Sequence, residues 1–144
     1  MTKFKLIVTG HGHFATGLKS AVNLLAGAQE NINYIDFTEG MTDKTLHLKL
    51  ENCIDDNTST LFFTDLVGGT PYKEAAKIAF NNSKIHVVAG CNLASILETI
   101  YKKYDNLTEY ANDLVKVSKM GTQNLDLSDI SDTSENQNDL DDGI

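Results

Sequence analysis

The sequence predicts an α/β fold, an open doubly wound sheet of four parallel strands in the order 2-1-3-4. Two observations carry this reading. Four short runs, Phe4–Thr9, Ile32–Phe37, Leu61–Asp65 and Ile85–Ala89, are nearly continuous in apolar character and rich in Ile, Val and Phe, as strands covered on both faces are. Apolar residues at helical spacing stand between the runs, and strand–helix alternation builds parallel βαβ units with right-handed crossovers.

The elements follow in order. After the first run, Phe14, Leu18, Ala21, Val22 and Leu25 form one stripe of a helix. Leu46, Leu50, Cys53 and Ile54 repeat that spacing ahead of the third run. The next helix has the clearest start, with Thr70 as N-cap and Pro71 at the first helical position. A fourth helix follows Gly90-Cys91-Asn92, with Leu93, Ile96, Leu97, Ile100 and Tyr104 facing inward. Leu107, Ala111, Leu114 and Val115 mark a fifth, running to Gly121, and Gln123–Leu127 alternates like a short edge strand.

The 144 residues are one domain's worth, with 41% hydrophobic residues to build a core. Twenty acidic residues against twelve basic ones, all lysine, give a net charge of −8. Such a chain is poorly suited to grip a nucleic-acid backbone or an anionic membrane. No apolar run approaches the roughly 20 residues needed to span a bilayer, and the N-terminus lacks the pattern of a signal peptide, so a cytoplasmic protein is expected. Cys53 and Cys91 make neither a disulfide framework nor a metal pair. Seven acids and no lysine fall between Asp126 and Ile144. The division expected is a body over 1–127 and an acidic, disordered tail over 128–144.

In an open sheet of this kind, ligands sit beyond the carboxyl ends of the strands where the strand order reverses, here between the first and third strands. Gly10-His11-Gly12-His13 follows the first, and Asp65-Leu66-Val67-Gly68-Gly69-Thr70-Pro71 completes and follows the third. A His and an Asp at the ends of neighbouring strands, each followed by a glycine turn opening a helix, supply a nucleophile, a carboxylate to orient it and a cradle for anionic oxygens. That set points to phosphoryl transfer onto histidine. His11 is the expected nucleophile and Asp65 its orienting group; Gly68, Gly69 and Thr70 are the expected phosphate contacts. No metal or other cofactor is expected. His13 is expected on the surface of the first helical turn, His47 exposed on the second helix and His86 within the fourth strand. Gly10-His11-Gly12-His13-Phe14-Ala15 also fits the glycine pattern of a dinucleotide site with Asp36 as its acidic partner. That reading leaves Asp65 and the second glycine turn unexplained.

The segments Leu6–Gly12, Asn31–Phe37, Phe63–Pro71 and Val88–Leu93 together resemble the mannose-family enzyme IIA of the bacterial phosphoenolpyruvate-dependent sugar phosphotransferase system, over about Lys3 to Leu127. The resemblance implies that His11 receives a phosphoryl group on its ε nitrogen from the carrier protein HPr. It then passes the group to enzyme IIB, which serves a membrane sugar permease. Asp65 matches the family's histidine-orienting carboxylate, and Thr70 stands where the family has Ser or Thr near the phosphate. A homodimer is implied as well, with a fifth, antiparallel strand, here the Gln123–Leu127 region, exchanged between subunits. The turn through His13 and Phe14 is similar to the N-acetylgalactosamine-type branch. The phosphotransfer subunit of dihydroxyacetone kinase shares the fold and the histidine chemistry and is the alternative.

Overall fold

The computed structural model describes residues 4–129. Their elements in chain order are β1 (Phe4–His11), α1 (Phe14–Ala26), β2 (Ile32–Phe37), α2 (Asp43–Glu51), β3 (Ser59–Thr64), α3 (Thr70–Ala79), β4 (Ile85–Ala89), α4 (Leu93–Thr99) and α5 (Leu107–Met120), then a short 3-10 turn over Leu127–Asp129. The four strands form one sheet in the order β2-β1-β3-β4, every pair parallel, as the sequence predicts. Among the described residues, no helix is long and apolar enough to cross a membrane.

The unbroken apolar runs have a direct physical cause. Leu6 and Val8 on β1, with Leu61 and Phe63 on β3, lie in a core that also takes in residues of α1, α4 and α5. Ile7 and Phe62, one residue out of phase, lie in a second core with Leu46 and Leu50 of α2 and Ala75 of α3. Successive residues therefore enter opposite cores, and both must be apolar.

Several boundaries differ from the expected ones, and two of them shape the crevice. β1 runs on to His11, because Gly10 and His11 remain in register with Asp36 and Phe37 of β2. β3 ends at Thr64, so Asp65 is the first residue beyond it. At the head of α3 the extended residue is Gly69 (φ −73°, ψ 168°), not Thr70, which is the first helical residue. α2 ends at Glu51, and Cys53 and Ile54 pack against the core from the turn that follows. α4 stops at Thr99, with Ile100 and Tyr104 covering the other core from the connection.

Gln123–Leu127 forms no strand among the described residues. A strand needs a ladder partner, and here the chain bends instead: Asp126 Oδ1 accepts the Ser128 amide (3.0 Å) and hydroxyl (2.6 Å) at the start of the 3-10 turn. Of the expected acidic tail, all but residues 128 and 129 lies outside the described residues.

Candidate active site

The β1–β3 register sets Thr9 beside Thr64, so two residues further along β1 and one further along β3 bring His11 and Asp65 together at the reversal of strand order. Asp65 Oδ2 lies 2.7 Å from His11 Nδ1 and accepts the His11 backbone N–H at 2.9 Å. Asp65 Oδ1 accepts the Leu66 amide at 2.9 Å. The side chains are unequally exposed, 45% for His11 and 8% for Asp65, so the carboxylate forms a floor and the imidazole faces outward. Burial pushes the Asp65 carboxyl up, but the bonds from the His11 amide, the His11 ring and the Leu66 amide outweigh it, and the group lies below its ordinary value. A carboxylate only accepts, so the proton sits on Nδ1 and the lone pair on Nε2. The ring of Phe37 meets the imidazole edge-on, with centroids 5.9 Å apart. Sequence reasoning missed this contact, which only the β1–β2 register reveals.

The glycine turn has two distinct requirements. Gly68 adopts φ +82°, a left-handed conformation that favours glycine. Gly69 has an ordinary φ, and space is what it must provide: a Cβ there would lie 2.7 Å from His11 Cε1 and 3.4 Å from Nε2. The turn that opens α3 is thus packed against the Nε2 edge of the imidazole, with Thr70 at the first position of the helix. A helix start carries free amides and the positive end of the dipole. The imidazole, its carboxylate partner and a helix start are therefore adjacent. We expect Gly69→Ala to move the His11 ring, with thermal unfolding little changed, as an imidazole NMR spectrum and a melting curve would record.

The carboxylate also leaves a mark on stability. Because its folded value is depressed, Asp65 stabilises the fold fully above the ordinary carboxylate range, and that contribution disappears as pH falls through the folded value. Urea midpoints of the wild type and Asp65→Asn should differ most near neutral pH and converge below about pH 4.

The remaining histidines make other contacts. His13 stands at the N-cap position of α1, where its side chain makes no capping bond, and directs Nδ1 to Asp36 Oδ2 at 3.1 Å. Asp36 also accepts the Thr16 amide (3.0 Å) and hydroxyl (2.6 Å). A carboxylate thus occupies the head of α1, where the pyrophosphate of a dinucleotide would have to sit; Asp36 closes that site. His47, expected to be exposed, is half-buried between Glu74 (3.2 Å) and Glu51 (3.1 Å). No group of three or more His, Cys, Asp or Glu side chains suited to a metal occurs among the described residues.

The EIIA-man family model, described as the PTS system fructose IIA component, matches residues 5–116. The chain is 30% identical over 122 residues to the fructose-specific EIIA component of Bacillus subtilis (strain 168), covering 82% of this chain and 84% of that one. It is 31% identical over 118 residues to the sorbose-specific EIIA component of Lacticaseibacillus casei, covering 80% and 86%. Among solved structures, the mannose/sorbose-specific IIA subunit from Enterococcus faecalis superposes with a TM-score of 0.81 at 27% identity, over 88% of this chain and 97% of that one.

Proposed function

The chain belongs to the EIIA-man family of sugar phosphotransferase-system IIA components, and on that footing we propose that His11 is the histidine that carries its phosphoryl group, taken from phospho-HPr and delivered to enzyme IIB. The observation that carries the reading is the 2.7 Å contact between Asp65 Oδ2 and His11 Nδ1, which leaves the Nε2 lone pair on the edge facing the head of α3.

The step follows from that geometry. The Nε2 lone pair attacks phosphorus while the P–N bond in the donor breaks, and the electron pair of the broken bond stays on the donor's nitrogen. Nδ1 keeps its proton, and the positive charge that develops on the ring is balanced by Asp65 over one hydrogen bond. Free amides at the Gly69–Thr70 turn and the Thr70 hydroxyl receive the phosphoryl oxygens, and Gly68 shapes that turn. Delivery to enzyme IIB is the same displacement with His11 Nε2 as leaving group. On this reading the phosphoryl group passes from one side chain to the next, so no cofactor enters.

The dimer belongs to the same reading. Leu125 and Leu127 are exposed and without a ladder in the single chain, and a second copy accepting Gln123–Leu127 as an antiparallel strand would cover them.

The test is transfer. Incubated with phosphoenolpyruvate, enzyme I and HPr, the protein should take up one acid-labile phosphate and release it on addition of a sugar-specific enzyme IIB. Labelling without release to any enzyme IIB, but with release to the remaining subunits of a dihydroxyacetone kinase, would move the chain to that system. No labelling would end the carrier reading.

A further inference from the structure

A second histidine–carboxylate pair stands beside the first and serves no step of the transfer. Gly10 pairs with Asp36 in the β1–β2 register, while Thr9 pairs with Thr64 in the β1–β3 register, so Asp36 and Asp65 flank the end of β1 on opposite sides. Each holds the Nδ1 of an imidazole, Asp65 that of His11 and Asp36 that of His13. Asp36 is itself fixed by the Thr16 amide and hydroxyl and is 13% exposed, whereas the His13 ring is 83% exposed. Burial pushes the Asp36 carboxyl up, but the bonds from Thr16 and His13 outweigh it and hold it ionised. The proton on His13 therefore lies on Nδ1, and Nε2 points its lone pair into solvent from a ring that is already oriented.

His13 differs from His11 in one decisive respect. The head of α3 packs against His11, but the head of α1 beside His13 is already taken by the Asp36 carboxylate. A phosphate would meet negative charge there, so His13 is built to accept a hydrogen bond and not to carry a phosphoryl group. Its position says from what. A protein–protein footprint covers about 800 Å² per partner, a disc about 16 Å in radius, whereas two residues of chain span at most about 7 Å. A footprint of that size centred on His11 Nε2 reaches residue 13. On the side of His11 that leads into α3, Leu66 and Val67 are exposed and offer the apolar part of such a contact. His13, backed by the Asp36 carboxylate, supplies an oriented polar acceptor at the rim.

We infer that His13, aimed by Asp36, is a specificity contact for the phosphoryl donor protein, its Nε2 accepting a hydrogen bond from a basic side chain of that protein. The inference rests on the carrier reading above and adds a residue to it. Phosphorylation of the full chain would be followed at varied HPr for the wild type, His13→Ala and His13→Gln, with direct binding of HPr measured alongside by calorimetry. His13→Ala should raise KM for phospho-HPr and the Kd for HPr by about tenfold, with kcat at saturation within about twofold. In His13→Gln the amide oxygen replaces Nε2 as acceptor, and most of the loss should be recovered. Unchanged KM and Kd, a fall in kcat alone, or an effect confined to the enzyme IIB step would each overturn it. A wild type that binds HPr but takes no label would sink the carrier reading, while the Kd ratio would still judge His13.

Discussion

Replacing His11 with alanine will reduce phosphate incorporation to background. Among the described residues, one imidazole alone combines a free Nε2 lone pair with a helix start packed against that nitrogen. His13 faces a carboxylate-filled helix start, His47 is held between two glutamates, and His86 lies within β4. The loss should not come from unfolding. Asp65 keeps the amides of residues 11 and 66 as donors after the ring is gone, so the expected cost is about 1 kcal/mol. A melting curve near that of the wild type, together with absent label, separates chemistry from folding. Label retained on the alanine variant would place the phosphoryl group on another residue.

Asp65→Asn should slow phosphorylation by about 10³-fold although the side chain keeps its size. The reason is the charge. The amide oxygen of asparagine, placed where Oδ2 stands, can still accept from the His11 backbone N–H and from Nδ1–H, but a neutral amide no longer balances the positive charge that develops on the ring, and its NH₂ group meets the Leu66 amide. Asp65→Ala removes the acceptor as well as the charge, so it should be impaired at least as much as the asparagine variant. A strong loss in the isosteric variant, which keeps an acceptor for Nδ1–H, distinguishes a charge-bearing carboxylate from a spacer. Near-normal labelling by Asp65→Asn would refute the role. Initial rates at saturating phospho-HPr provide the comparison.

The pairing of His11 with Asp65 was legible because it depends on coarse facts, namely which runs are strands and where a doubly wound sheet reverses. Leu6-Ile7-Val8 and Leu61-Phe62-Phe63 announced strands buried on both faces, and the two-core packing explains why they had to read that way. What was not legible depended on register and side-chain direction. Gly10 reads as a turn, yet β1 continues through it because β2 still offers a ladder at Asp36 and Phe37. Thr70 before Pro71 reads as an N-cap, but the extended residue is Gly69, which must stay bare to pass the His11 ring. Asp36 suggested the acidic partner of a dinucleotide site, and only the fold shows it turned onto Thr16 and His13. The alternation in Gln123–Leu127 was real, but alternation names a face and not a partner, and the single chain provides none.

The most direct measurement is nitrogen and phosphorus NMR on the wild-type protein phosphorylated by phosphoenolpyruvate, enzyme I and HPr. A single phosphohistidine is expected at position 11, with phosphorus coupled to Nε2 and a proton retained on Nδ1. Phosphorus bonded to Nδ1, or to a residue other than His11, would contradict it.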